Sequence, residues 1–404
     1  MARKEQQLPL FANLASQPTW LGWFTDRKAP TMVMYDRTLL TIILGLMAVG
    51  FVMVASASMA EAYTMTGDSN FFVKRHLAYL IGCAAIAAVV MNTQVDTWQR
   101  YSGYLFLTVA VMLVAVLFVG KNVNGSTRWL SLGVFNIQVA ELAKLAFCVY
   151  MASYLVRRHH EIKGAAWAFM KPILLLGLFA FLLLMQPDLG SSVVLFVIVI
   201  GLLFLAGARM IEFCGLLTMG VVLIITLAVT SSYRWKRVTS FLDPWENPFG
   251  EGYQLTQSLM AFGRGDWFGQ GLGNSIQKLE YLPEAHTDFI FAVIGEELGF
   301  IGVIAVLVLL FSLVFKALKL GSQCLANDKA YSGYLAYGIG IWFCFQTGVN
   351  AGASIGMLPT KGLTLPFISY GGSSLWVMTA AAFLLIRIDF ELRKSTIQAT
   401  QVKR

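Results

Sequence analysis

Ten apolar stretches, each about the length of a bilayer-crossing helix, constrain this chain more than any other feature. They fall at 38–60, 77–95, 101–120, 139–156, 171–187, 189–208, 212–231, 289–315, 332–350 and 366–387. The hydrocarbon core of a membrane is about 30 Å thick and a helix rises about 1.5 Å per residue, so about 20 apolar residues cross it. Composition agrees. Of 404 residues, 57% are hydrophobic and only 13% charged, and mean hydropathy is +0.67. A soluble chain carries about 25% charged residues, so an ordinary water-soluble enzyme is excluded.

The net charge of +8 lies between the apolar blocks, which is the pattern of topology-setting loops rather than of a nucleic-acid groove. An even number of spans puts both ends on one side. With the ends cytoplasmic, nineteen Lys and Arg residues lie inside and ten outside, and Lys144 lies within a block. Five of the ten outside charges sit in one long segment, where the positive-inside rule weakens. The expected fold is an all-α integral membrane protein with ten transmembrane helices and both termini cytoplasmic. A tail covers 1–37, the membrane domain 38–388 and a second tail 389–404, with one long extracytoplasmic loop, 232–287, between helices seven and eight. The first apolar run, near Leu39, lacks a small-residue cleavage site and is expected to stay as an anchor. Cys83, Cys148, Cys214, Cys324 and Cys344 are scattered without CxxC spacing, which predicts neither a disulfide framework nor a structural zinc site.

The segment 232–287 interleaves Gly, Pro, Trp and charge, and loops of this length are usually functional. It reads as neither a folded helical domain nor a featureless linker. Between blocks five and six, Gln186-Pro-Asp-Leu-Gly190 leaves room only for a tight reversal. No internal repeat supports an inverted-repeat transporter. His76 has no visible partner, and Trp98, Trp129, Trp235 and Trp267 read as interfacial anchors.

Three constellations bear chemistry. Glu141 and Lys144, three apart on one helix, share a face, and a charge inside a membrane costs about 2.5–3.5 kcal/mol. They form either a structural ion pair or part of a polar cavity reached from outside together with Gln138; both readings point them inward. The second constellation is Lys278-Leu-Glu-Tyr-Leu-Pro-Glu-Ala-His-Thr-Asp288. Thr287 can cap helix eight, with Asp288 in its first turn, which is ordinary helix-start chemistry. The crowding of Glu280, Glu284, His286 and Asp288 also suits a proton-abstracting base or a divalent-cation site. The third runs from Gly356 to Ser374. Its Gly and Pro residues, Lys361 and the hydroxyls of Thr360, Ser369, Ser373 and Ser374 suit either a plain hairpin or a pyrophosphate site built from amides and a cation.

Four segments resemble the SEDS family (shape, elongation, division and sporulation): Asn124-Gly-Ser-Thr-Arg128-Trp-Leu-Ser-Leu-Gly, Gln186-Pro-Asp-Leu-Gly190, Tyr281 through Gly299 and Gly356 through Ser374. The resemblance runs from about Tyr35 to Arg393. The long polar N-terminal tail, Met34-Tyr-Asp-Arg-Thr-Leu-Leu and Tyr253-Gln-Leu-Thr-Gln-Ser-Leu-Met-Ala-Phe-Gly-Arg-Gly resemble its division members more than its elongation members. One departure is Gln138-Val-Ala-Glu141, where the family usually has Pro after Gln; both polar positions survive. The resemblance implies a ten-helix peptidoglycan glycosyltransferase at the division septum of the bacterial inner membrane. It would polymerise lipid II on the outer face and release undecaprenyl diphosphate. Its implied partners are a class B penicillin-binding transpeptidase and divisome proteins of the FtsQ, FtsL, FtsB and FtsN type.

The resemblance also implies Asp288, Glu141, Lys144 and Lys361 as catalytic residues, and Arg128, Trp129, Gln138, Lys278, Glu284, His286, Thr360, Ser369 and Ser373 around the substrate. A bound Mg²⁺ or Mn²⁺ is expected, with its ligands unassigned. Joining a sugar 4-hydroxyl to an anomeric carbon, with lipid pyrophosphate leaving, needs a base on the acceptor and positive charge on the leaving group. Asp288 suits the first role and Lys361 or Arg128 the second. A lipid II flippase and a non-catalytic scaffold are the competing readings. Spans two, three and ten carry no polar path to the cytoplasm, which argues against a flippase.

Overall fold

The apolar blocks are long enough to satisfy every backbone group within a helix, and each falls on one helix of the computed structural model. The structure describes residues 34–123, 126–132, 135–162, 166–230, 235, 239–359 and 362–402. In chain order the helices begin with α1 (Arg37–Thr66), α2 (Phe71–Asn92), the short α3 (Val95–Arg100) and α4 (Ser102–Val119). Next come α5 (Val139–Arg157), the single turn α6 (His159–Ile162), α7 (Ala166–Met185), α8 (Leu189–Leu205) and α9 (Met210–Val229). The last are α10 (Tyr253–Gly265), α11 (Ile290–Ala326), α12 (Ala330–Ser354) and α13 (Gly372–Val402). Five of them, α1, α2, α4, α5 and α11, are long and apolar enough to cross a membrane outright.

Two expectations are corrected. The chain is mostly helical but not all-α, because β1 (Lys121–Val123), β2 (Ser126–Leu132) and β3 (Phe135–Gln138) form an antiparallel meander between α4 and α5. The long polar loop also contains a helix, α10, whose buried residues Leu255, Thr256, Ser258, Ala261 and Gly265 recur at helical spacing on one face. Helices also outrun their apolar blocks: α2 starts at Phe71, because Lys74, Arg75 and His76 are polar but compatible with a helix end.

Helix α5 is the hub, packed against α4, α8, α12 and α13, and is buried along far more of its length than the other four long apolar helices. Phe106, Tyr150, Phe147 and Phe179 interlock where α4, α5 and α7 meet. On one end of the bundle the start of α1 meets the distal half of α13. The Asp36 N–H donates to Asp389 Oδ2 at 2.7 Å, Lys316 reaches Asp36 at 2.6 Å, and Arg393 pairs with Asp389 at 2.8 Å. The sheet joins α4 to α5 and the 186–188 turn joins α7 to α8, and Arg128 of the sheet contacts that turn.

Helix α11 is broken at Gly299, whose φ of 66° lies in the left-handed region where only glycine sits freely. Before the break, 290–297 is buried throughout; after it, Phe300, Ile301 and Ile304 face outward. The loop after α10 heals the break. Gln270 and Gly271 N–H groups donate to the Glu296 and Glu297 carbonyls (2.9 and 3.0 Å), and Phe300 and Ile301 N–H groups donate to Asp266 and Trp267 carbonyls (2.8 and 3.2 Å). Irregular backbone in a spanning region is tolerated only with such partners.

Candidate functional site

Two buried carboxylates on the first half of α11 anchor the long loop. Glu297 accepts from Ser56 on α1 and from the Lys278 ammonium, each at 2.7 Å, and Glu296 accepts from Arg264 at 2.7 Å, from the Ser275 hydroxyl and from the Ile276 N–H at 3.0 Å. Lys278, expected beside the substrate, is 8% exposed and holds Glu297 and Ser56 instead. These anchors fix the segment that leads into Asp288.

Asp288 itself departs from the expected geometry. Helix α11 starts at Ile290 with Phe289 as its N-cap residue, and Thr287 does not cap it: its hydroxyl donates to Glu284 Oε2 at 2.6 Å. Asp288 therefore sits in the turn before the helix, half-buried, and its placement comes from tertiary contacts. Asn350 on α12 donates through Nδ2 both to the Asp288 carbonyl (2.9 Å) and to the Leu363 carbonyl (2.7 Å). One residue earlier, the Ser369 hydroxyl donates to the Thr287 carbonyl (2.6 Å) and accepts from the Leu365 N–H (2.8 Å). Two residues earlier, the Tyr370 N–H donates to the His286 carbonyl at 2.9 Å. The 363–370 segment is thus laced to 286–288 residue by residue. A Cβ at Gly362 would stand 3.4 Å from Asp288 Oδ2, so the backbone next to Lys361 adjoins the carboxylate. Thr360 and Lys361 themselves lie outside the described residues.

Glu141 and Lys144 are paired at 2.7 Å and fully buried, with Lys144 also donating to Gln346 Oε1 at 3.1 Å. Gln346, one turn before Asn350 on α12, carries the network onward. Its Oε1 also accepts from Trp342 Nε1 at 2.7 Å, and its Nε2 donates to the carbonyl and hydroxyl of Thr364 at 2.8 and 3.2 Å. Thr364 and Ser374 hydroxyls are 2.8 Å apart. A continuous polar line therefore runs from α5 through α12 to the start of α13.

The remaining expected residues divide. On β2, Arg128 grips the Gln186 and Pro187 carbonyls, fixing the tight reversal whose Asp188 caps α8 through the Ser191 N–H at 3.0 Å. Trp129 faces Gln138 across the β2–β3 ladder. His286 is buried with Nδ1 3.0 Å from Glu61 Oε2 and packs on Phe72 and Tyr370. Ser373 is buried with its hydroxyl unpartnered. The structure therefore gathers Glu141 and Lys144 with the 363–374 segment, and that segment with Asp288, whereas Lys278 and Arg128 are engaged in anchoring loops. Among the described residues, no three of His, Cys, Asp and Glu converge as a metal-ligand set. Sequence reasoning missed Gln346, Asn350, Glu296 and Glu297; only the last two carried a signal, as a charged pair inside an apolar block.

A family model described as cell cycle proteins, covering FtsW, RodA and SpoVE, matches residues 37–394. The chain belongs to that family. It is 64% identical over 404 residues to the probable peptidoglycan glycosyltransferase FtsW of Shewanella sediminis, covering all of this chain and 98% of that one. It is 51% identical over 400 residues to the protein of the same name from Escherichia coli O157:H7, covering 98% and 97%. Among solved structures it resembles a chain from a study of how a peptidoglycan synthase complex coordinates polymerisation and crosslinking (TM-score 0.72, 28% identity, 89% and 98% covered). It also resembles the rod shape determining protein RodA of Thermus thermophilus (TM-score 0.65, 25% identity, 89% and 98% covered). The apolar helices and this membership make the chain a multi-pass membrane protein.

Proposed function

We propose that the chain is a division-type peptidoglycan glycosyltransferase that polymerises lipid II and works beside a class B penicillin-binding transpeptidase. The observation that carries this reading is the lacing of Asp288 to the 363–370 segment, which brings a carboxylate and the backbone flanking a lysine to one place. The relatives named as glycosyltransferases and the neighbour from a polymerising and crosslinking complex support it. In this reading ten helices cross the membrane, the termini are cytoplasmic, and the sheet, α10 and Asp288 lie on the outer face. The meeting of the α1 start with the distal half of α13 supports that topology.

Asp288 takes the proton from the acceptor 4-hydroxyl as its oxygen forms the bond to the anomeric carbon. The pyrophosphate leaves from the opposite side, so the configuration inverts. Lys361 supplies positive charge to the leaving group, worth about 3–4 kcal/mol in comparable clamps. Arg128 is spent on the 186–187 turn, which leaves Lys361 the better choice. The buried Glu141, Lys144 and Gln346 set the position of Thr364 and with it the loop that carries Lys361. A divalent cation would neutralise pyrophosphate charge, held by the substrate phosphates and water rather than by Asp288, which faces the acceptor.

The test is incubation of the purified chain and its cognate transpeptidase with labelled lipid II. Glycan polymer is expected. Its absence, with both proteins folded and the transpeptidase active, would contradict the reading and favour a transporter or a scaffold.

A further inference from the structure

Helix α12 carries a second carboxamide one turn from Gln346, and its hydrogen bonds are unlike those of a residue that merely fills space. Asn350 is 2% exposed in the protein interior. It spends both Nδ2 protons on carbonyls from segments far apart in sequence, Asp288 at 2.9 Å and Leu363 at 2.7 Å. A planar NH₂ with two protons at a fixed angle is the one side-chain group of this size that can bridge two peptide oxygens at once. A helical residue has rotamers restricted by its own backbone, so these two carbonyls are held at a separation set by α12 rather than by either loop. Asp288 lies just before α11, outside the helix itself.

We infer that Asn350 is a positioning residue for the glycosyl-transfer step: it holds the Asp288 peptide against the Leu363 peptide, and so fixes the carboxylate relative to the loop on which Lys361 lies. The inference rests on Asp288 being the general base. Asn350 touches neither substrate nor reacting atoms in this role. Its loss therefore leaves lipid II binding intact and shifts only the geometry from which the proton is taken. A misplacement of about 1 Å can cost about 10²-fold in rate.

Two substitutions separate this role from a packing role. Asn350→Asp keeps the shape but replaces the donor with an acceptor facing two carbonyls, and Asn350→Leu keeps about the same volume with no polarity. Each is made in the full chain with its transpeptidase, and polymerisation of labelled lipid II is followed as kcat and KM. The expected result is folded protein in both cases, KM unchanged and kcat lower by about 10²-fold. In an Asp288→Asn background, either change is expected to lower the residual rate no further, because residues that act as one unit are not additive. Wild-type kcat in both Asn350 variants, with Asp288→Asn inactive, would overturn the positioning role and leave the base assignment standing. Wild-type kcat in Asp288→Asn itself would remove the base and the positioning role with it. Loss of folded protein in both variants, or a further loss in the Asp288→Asn background, would also overturn the inference.

Discussion

Lys144 donates to Glu141 at 2.7 Å with both side chains buried, yet the two ends of this pair are unequally provided for. Lys144 has a second acceptor in Gln346, whereas Glu141 Oε2 is buried with no partner. Removing one member of a buried pair typically costs about 3–5 kcal/mol, because the other charge is stranded. Lys144→Met should therefore destabilise the protein more than Glu141→Gln. The double variant Glu141→Gln with Lys144→Met should recover most of the loss. Thermal denaturation of the purified variants checks this; equal stability of all three with the native chain would show the pair to be dispensable.

Docking of the long loop depends on backbone approach as much as on its ion pairs. A Cβ at Gly265 would run into the Gly295 carbonyl on the first half of α11. Backbone on both sides has nowhere to move, so Gly265→Ala should force α10 off α11 and expose Glu296, which Arg264 and Ser275 now cover. The expected readout is faster proteolysis within 239–287 and a lower melting temperature. Native-like protection would mean that α10 packs less tightly than these contacts indicate.

The distribution of basic residues and the contact between the α1 start and the distal half of α13 make a topological prediction. In a variant without the native cysteines, a new Cys at an exposed position in α10 or the 266–273 segment should react with a membrane-impermeant reagent in intact cells whose outer barrier is opened. A Cys near Asp36 should react only after the inner membrane is breached. The reverse pattern would invert the molecule.

How much of this was legible in the sequence follows from the range of the interactions. Helix-crossing apolar blocks are local and survived contact with the structure, each landing on one helix. The sheet was hidden because its strands are short and lie between strongly apolar blocks, although Asn124-Gly125 offered a hairpin signal. Helix α10 was hidden because it is short, carries nearly as many polar as apolar residues and lies in a segment rich in Gly, Pro and charge, although its buried positions recur at helical spacing. The sequence singles out Asp288 but says nothing of its environment. The sequence reading made Thr287 its helix cap, whereas the structure holds Asp288 through Asn350, and no periodicity links residues 62 positions apart. Gln346 was equally silent, since one amide in an apolar helix is unremarkable until Lys144, 202 positions away, is seen to share it. Lys278 is expected around the substrate because its partner, Glu297, lies in the next helix and is not evident from the local sequence.

The central claim is that the Asp288 carboxylate takes the acceptor proton, and Asp288→Asn tests it most directly. Asn keeps the size of the side chain and the backbone carbonyl that Asn350 holds, so the variant should insert, fold and bind its transpeptidase. Removing a general base typically costs about 10²–10⁴-fold in rate. Polymerisation of labelled lipid II by the purified variant with its partner should fall by that factor while the amount of complex stays the same. Polymer formed at the wild-type rate would contradict the account and move the search for a base to Glu284, His286 or Glu141.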